Sequence, residues 1–84
     1  MKQVMVDKLY KKIKSNNDRF MIAAYTLMGN RHYTVIELIR KPGEIYAVSS
    51  ILGYPVELKE YLRTNGDGVS YFRCKEHNLE REEY

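Results

Sequence analysis

Apolar residues near the start of the chain recur at the spacing of an α-helix. Met5, Leu9 and Ile13 lie four residues apart, and further apolar residues lie beside them on the same face. Lysines occupy the other faces, and a Ser-Asn-Asn sequence ends the stretch. The pattern predicts a basic, amphipathic helix over residues 1–16.

The next stretch, residues 18–30, is compatible with a helix or a strand. Asp18 can cap a helix, adjacent alanines favour one, and Gly29-Asn30 is a good stop. The letters FMIAAYTLM are also a continuous apolar run, which before Gly-Asn is typical of a buried strand entering a hairpin.

Residues 33–43 carry the same ambiguity. Thr34 and Glu37 have the spacing of a capping box, in which each side chain satisfies a free backbone N–H at a helix start. Pro42-Gly43 would end that helix. The valine, isoleucine and tyrosine content of the stretch is equally typical of a β-strand.

The last part of the chain has clearer signals. Residues 43–53 have apolar positions at helical spacing, and residues 54–66 form the clearest helix, with Pro55 in its first turn. Residues 66–75 alternate between apolar and polar positions, which predicts a strand after a tight turn. Residues 76–84 are expected to be an acidic tail.

Two architectures follow for a single domain over residues 1–84. The first is an α+β, mainly helical fold of five short helices ending in a strand or wing. The second keeps the end helices and turns the middle three segments into an antiparallel sheet, in the order α-β-β-β-α-β. The capping box, the adjacent alanines and the glycine stops favour the first.

Composition and charge narrow the class of protein. The 84 residues carry a net charge of +3 and one cysteine, Cys74, which excludes an internal disulfide and fits a reducing, intracellular setting. The first residues are interrupted by charges too often for a signal peptide or a membrane span. Five lysines and one aspartate lie in residues 1–14, whereas residues 67–84 carry three basic and five acidic side chains, so a polyanion would prefer the front.

The order of elements in residues 34–74 resembles that of a winged helix-turn-helix domain. Residues 45–52 would brace, Gly53-Tyr54 would turn, residues 55–64 would enter the major groove, and NGDGVSYFR would form the wing. The resemblance implies a non-enzymatic, double-stranded-DNA-binding transcription regulator that forms a dimer, for which the amphipathic first helix is the natural contact. The size and composition of the chain fit a virus- or plasmid-encoded protein. Glu57 and Glu60 depart from the resemblance, because carboxylates on the reading helix oppose the phosphate field.

Basic side chains would supply the affinity for DNA in this interpretation. The candidate contact residues are Lys8, Lys11, Lys12, Lys14, Arg31, Arg40, Lys41, Lys59, Arg63, Thr64, Arg73 and Lys75.

The eight tyrosines support other functions. Tyrosine and arginine anchor protein interfaces, so the chain could be an adaptor or inhibitor acting through a tyrosine-rich surface and the first helix. Aromatic rings beside cations also stack on unpaired bases; the candidates are Tyr33, Tyr46, Tyr54, Tyr61, Tyr71 and Phe72. One basic face containing residues 59, 63 and 73 would favour DNA, whereas an apolar tyrosine patch with mixed charge would favour a protein partner.

Metal binding and catalysis have little support in the sequence. Cys74 and His77 have the spacing of half a zinc site, but His32 is the only other soft ligand and a structural zinc site needs four ligands. No nucleophile elbow, phosphate loop or paired acidic dyad is present. We therefore expect no metal, no cofactor and no enzymatic activity.

Overall fold

The computed structural model describes residues 2–66, 68–74 and 82–84. Within these ranges the chain forms two helices and five strands in the order α1 (Gln3–Lys14), β1 (Phe20–Leu27), β2 (Asn30–Lys41), β3 (Glu44–Ser49), β4 (Val56–Glu57), α2 (Leu58–Thr64) and β5 (Ser70–Arg73). The strands make one antiparallel sheet in the order β4-β3-β2-β1-β5. Neither helix is long and apolar enough to cross a membrane, among the residues described.

The prediction of a mainly helical fold is wrong, and the alternative α-β-β-β-α-β order is confirmed, with the short β4 added before α2. Residues 20–27 are a central strand, paired with β2 on one side and β5 on the other. The four residues from Met21 to Ala24 are each at most 3% exposed. A helix would bury one stripe of this apolar run, whereas a central strand can bury apolar residues on both of its faces.

The predicted capping box does not form, because Thr34 and Glu37 both lie in β2. Residues three apart on a strand have side chains on opposite faces, so the two cannot act together. Glu37 instead lies 3.5 Å from the Arg19 guanidinium. A helix cap contributes typically about 1 kcal/mol, and the pairing of β2 with β1 and β3 along most of its length outweighs that local signal.

The predicted helix-turn-helix is also corrected. Its bracing helix is strand β3, whose burial alternates with Ile45, Ala47 and Ser49 buried, as on a strand with one covered face. Its reading helix begins at Leu58, after Pro55, and spans 7 residues. The stretch predicted as a wing contains β5, which pairs with β1 as an edge strand of the sheet.

Both helices pack on one face of the sheet, which we call the inner face. Val6 and Ile13 of α1 and Leu58 and Leu62 of α2 are fully buried there. They contact the inner-face side chains of the sheet, which include Met21, Ala23, Ile36, Leu38, Ile45, Ala47 and Tyr71. The core therefore lies between the helix layer and this face, and the opposite side of the sheet is the outer face.

The β1–β2 hairpin extends beyond the rest of the sheet. β5 pairs with β1 only as far as Ala24, and β3 pairs with β2 only from Ile36 onward. Residues 25–32, which we call the arm, therefore pair only with each other. The arm turns at Met28 and Gly29, whose φ angles are 52° and 80°, the signs of a two-residue type I′ hairpin turn.

The predicted acidic tail is described only at its end. Residues 82–84 run beside β5, where Phe72 and Glu83 form an antiparallel bridge and the Tyr84 N–H donates to the Tyr71 carbonyl at 2.9 Å. Residues 75–81, which include Lys75 and His77, lie outside the described residues. The Cys74–His77 pair, which has the spacing of half a zinc site, therefore falls partly outside them.

Candidate functional site

The outer face of the sheet carries an apolar surface that neither helix covers. Alternation along β1, β2 and β3 places six side chains on it, which we call the outer-face patch: Phe20, Tyr33, Val35, Ile39, Tyr46 and Val48. Val35 is 51% exposed, Tyr33 39% and Phe20 37%. The other three are half-buried.

A small buried cluster lies beside the patch on the same face. Ile22 and Ala24 of β1 and Phe72 of β5 form it, with Cys74 packed against them. Ile22 pairs directly with Val35, and Ala24 with Tyr33, so the cluster adjoins the patch without a polar break. The exposed patch therefore continues into a packed apolar cluster on the same face of the sheet.

Each aromatic ring of the patch has a cation stacked on it. The Arg19 guanidinium lies 5.4 Å from the Phe20 ring centre, and the Arg31 guanidinium lies 6.0 Å from that of Tyr33. The Lys41 ammonium lies 5.5 Å from the Tyr46 ring centre. These distances are within the range of cation–π attraction, so the cations are held over the rings.

Carboxylates balance these cations around the patch. Glu37 pairs with Arg19, and Glu44 accepts a hydrogen bond from the Tyr46 hydroxyl at 2.8 Å. The hydrogen bond to Glu44 and the charge of that carboxylate raise the pKa of Tyr46, and Glu57, opposite Tyr46 in β4, adds to the effect. The patch therefore has mixed charge and is not a basic face.

The two predicted cationic DNA contacts on α2 are engaged within the helix layer. Lys59 Nζ lies 3.8 Å from Asp7 Oδ1 of α1 and 4.7 Å from the Tyr10 ring centre. Arg63 Nη1 donates to Glu60 Oε2 at 2.7 Å, and its Nε donates to the Gln3 side chain at 3.2 Å. These cations join α2 to α1, with partly exposed side chains.

Two more predicted contacts tie the start of β1 to its neighbours. Arg73 donates to both oxygens of Asp18, at 2.7 and 2.9 Å, and to Glu82 at 3.4 Å. The hydrogen bonds to Asp18 are the main reason that the pKa of Arg73 is raised. Arg40 donates to the Asn16 side chain at 3.0 Å and to the Asp18 carbonyl at 3.0 and 3.1 Å. Both guanidiniums therefore hold the α1–β1 connection.

The remaining predicted contacts are scattered. Thr64 donates its hydroxyl to the Tyr61 carbonyl at 3.0 Å, and Arg31 and Lys41 lie at the outer-face patch. The four lysines of α1 are exposed on the other side of the molecule; they are Lys8, Lys11, Lys12 and Lys14. The set therefore does not converge on a single basic face with residues 59, 63 and 73.

Sequence reasoning named Tyr33 and Tyr46 among the aromatic residues but missed the rest of the patch. The signal that marks it is the alternation of β2, where Tyr33, Val35 and Ile39 share a face with Glu37. Two other tyrosines from the same predicted set, Tyr61 and Tyr71, are buried in the core on the inner face and are not available for stacking.

The described residues form no candidate metal site. No group of three His, Cys, Asp or Glu side chains there is arranged to hold an ion. Comparison of the chain with protein-family models, with curated proteins and with solved structures finds no match. What the protein does must therefore be inferred from the residues and their arrangement.

Proposed function

We propose that this chain is a non-enzymatic protein-binding module, an adaptor or inhibitor, that contacts its partner through the outer-face patch. The observation that carries the proposal is an apolar, aromatic surface whose surrounding charges balance. Aromatic residues and arginine are enriched at protein interfaces, where charged groups lie mainly at the rim. Tyr33 and Tyr46 with their stacked cations match that composition.

The buried cluster beside the patch supports the proposal further. Ile22 and Phe72 are at most 6% exposed and lie next to the patch. Cations stack on the rings of Tyr33 and Tyr46, so the patch is formed before a partner arrives. Side chains that are already ordered lose little conformational entropy on binding. The patch therefore suits a preformed partner surface that is itself apolar and carries charges of both signs at its edge.

The competing function, predicted from the sequence, is binding of double-stranded DNA in transcription control. A phosphate backbone needs cations that can release counterions to it. The cations of α2, and Arg73, are paired with carboxylates, and three glutamates surround the outer-face patch. Support for DNA comes from α1, where Lys8, Lys11 and Lys12 have no carboxylate within 4.0 Å among the described residues. The balance favours a protein partner.

The test uses a charge introduced into the patch and a matched control elsewhere. Val35→Glu places a carboxylate at the most exposed position of the patch. Val4→Glu places the same charge on α1, where the valine is 70% exposed. The wild type and both variants are immobilised and presented to a nuclease-treated lysate of the source cells. Proteins kept by the wild type and Val4→Glu but lost from Val35→Glu are then purified and titrated directly.

We expect a directly titrated partner whose dissociation constant rises at least about tenfold with Val35→Glu, the size of effect typical of an interface anchor. A labelled mixed-sequence DNA duplex is titrated in parallel, at low and moderate salt. Steeply salt-dependent DNA binding that survives Val35→Glu and is lost on Lys11→Glu with Lys12→Glu would replace this proposal with the DNA-binding one.

We propose an intracellular, reducing compartment for this activity. The single cysteine, Cys74, is half-buried against the cluster of Ile22, Ala24 and Phe72. A lone thiol packed against apolar side chains is typical of a protein that works without disulfides.

A further inference from the structure

A second apolar feature lies on the inner face, at the base of the arm. It is a groove of about 400 Å³, which we call the inner groove. Tyr25 and Thr34 of the hairpin line one part of it, Ile51 and Leu52 after β3 line another, and Tyr61 of α2 completes it. This volume is within the range of ligand-binding pockets, so the groove can accept several apolar groups at once.

The chemistry of the inner groove selects an uncharged occupant. Among the described residues, no charged side chain lines it. Three of its polar side chains already have partners inside the chain. The Ser49 hydroxyl accepts from the Leu52 N–H at 3.1 Å, the Thr64 hydroxyl donates to the Tyr61 carbonyl, and the Asn65 amide donates to the Tyr71 hydroxyl at 2.7 Å. An occupant therefore needs neither charge nor hydrogen-bonding groups.

The tip of the arm has the complementary property. Met28 is 92% exposed and Leu27 is 55% exposed, although both are large apolar side chains. Met28 also has a φ of 52°, a conformation for which glycine or asparagine is the usual choice in a two-residue hairpin turn. The chain thus holds an apolar side chain at its most projecting point, in a conformation that disfavours that residue type.

We propose that the inner groove is filled by the arm tip of a second copy of this chain, and that the exchange is reciprocal. Tip and groove belong to the same chain, so a two-fold axis makes both contacts at once and closes the assembly as a dimer. Tyr25 lines the groove, with His32 stacked on its ring, and Leu27 follows on the same face of β1, so the groove lies next to the tip on one face of the arm.

Charge supports a second copy as the occupant. The whole chain carries a net charge of +3, so two copies repel each other weakly unless the surfaces that meet avoid like charges. The groove lining and the tip residues Leu27, Met28 and Gly29 are uncharged, so this contact brings no like charges together. The outer-face patch lies on the opposite side of the sheet and stays accessible in such a dimer.

The first test is the oligomeric state, measured by sedimentation equilibrium over a range of protein concentrations. The tip variant combines Leu27→Ser with Met28→Asn, which suits the turn, and the groove variant is Ile51→Lys, at a site that is 74% exposed in one chain. Val4→Lys, on α1, is the matched control. We expect a dimer for the wild type and the control, and at least about a tenfold higher dissociation constant for the tip and groove variants. A wild type that is monomeric throughout, or a dimer insensitive to both variants, would overturn the proposal.

A crosslinking experiment then tests which surfaces meet. Leu27→Cys and Ile51→Cys are made in separate proteins, each with Cys74→Ser, and the two proteins are mixed under mild oxidation. We expect a disulfide between position 27 of one copy and position 51 of the other. Crosslinks formed only between two copies of Leu27→Cys would show that the tips meet each other, which contradicts the exchange.

Discussion

Tyr71 gives the sharpest quantitative prediction about stability. Its ring is 2% exposed in the core, and its hydroxyl accepts a hydrogen bond from the Asn65 amide at 2.7 Å. Burial is the main cause that raises the pKa of Tyr71 to about 12, against 10.0 for a free tyrosine. The folded protein therefore keeps the phenol proton over a pH range in which the unfolded chain releases it.

The sign of the effect follows from proton binding. Between pH 10 and 12 the unfolded state binds fewer protons than the folded state, so the free energy of unfolding falls as pH rises. The contribution of Tyr71 is fully present below pH 10 and is lost through pH 12. The slope is about 1.4 kcal/mol per pH unit for one group, which amounts to about 1.4 kcal/mol lost by pH 11.

The assay is urea unfolding of the wild type and Tyr71→Phe at several pH values from 8 to 11. At pH 8 the variant should be less stable by about 1 kcal/mol, because the Asn65 amide loses its acceptor. By pH 11 the difference should vanish or reverse, since the variant has no phenol to ionise at this position. With a urea m-value of about 1 kcal/mol/M, the wild-type midpoint should move about 1.4 M further than that of the variant between pH 8 and 11.

A control and a refuting result complete this prediction. Tyr54→Phe, which removes a hydroxyl from an exposed side chain after β3, is the matched control for the loss of a phenol. Comparing each variant with the wild type cancels the titration of the lysines. If the pH profile of stability of Tyr71→Phe is parallel to that of the wild type between pH 9 and 11, burial of Tyr71 does not hold its proton and the reasoning is refuted.

Three further predictions concern the fold. Asp18→Asn should lower the urea midpoint clearly more than Arg63→Met does. Asp18 accepts two hydrogen bonds from the half-buried Arg73, whereas Arg63 is exposed. Equal midpoints for the two variants would contradict this prediction. Leu62→Ala should reduce the free energy of unfolding by about 2–5 kcal/mol, since the side chain is fully buried between helix and sheet, and a loss below about 1 kcal/mol would show that the site collapses. Met28→Asn should raise the thermal midpoint of the isolated monomer by relieving about 1 kcal/mol of left-handed backbone strain, and an unchanged midpoint would mean that the turn relaxes at no cost.

The sequence by itself determined the elements whose signals are local. The four-residue spacing of Met5, Leu9 and Ile13 places an amphipathic helix at the start, where α1 lies. Alternation after Gly66 predicts a strand, and β5 occupies Ser70–Arg73. In both elements one face is apolar and the other is polar, so the period of the apolar positions can be read directly from the sequence.

Only the tertiary structure decided between helix and strand in the middle of the chain. β1 is apolar on both faces, so its sequence has neither a period of two nor a period of 3.6 residues. The choice depends on β2 and β5 lying in register on its two sides, which are contacts with residues far away in the sequence. Local helix signals such as the adjacent alanines contribute less free energy than the backbone hydrogen bonds that β1 makes with both neighbouring strands.

The candidate site was equally a matter of tertiary structure. Arg73 is one of several cations in the sequence, and its pairing with Asp18, 55 residues away, exists only because β5 lies beside β1. The outer-face patch depends on both helices packing against the same side of the sheet, which leaves Val35 exposed and buries its neighbour Ile36. Alternation shows that these two side chains are on opposite faces, but only the packing of the helices determines which face is covered.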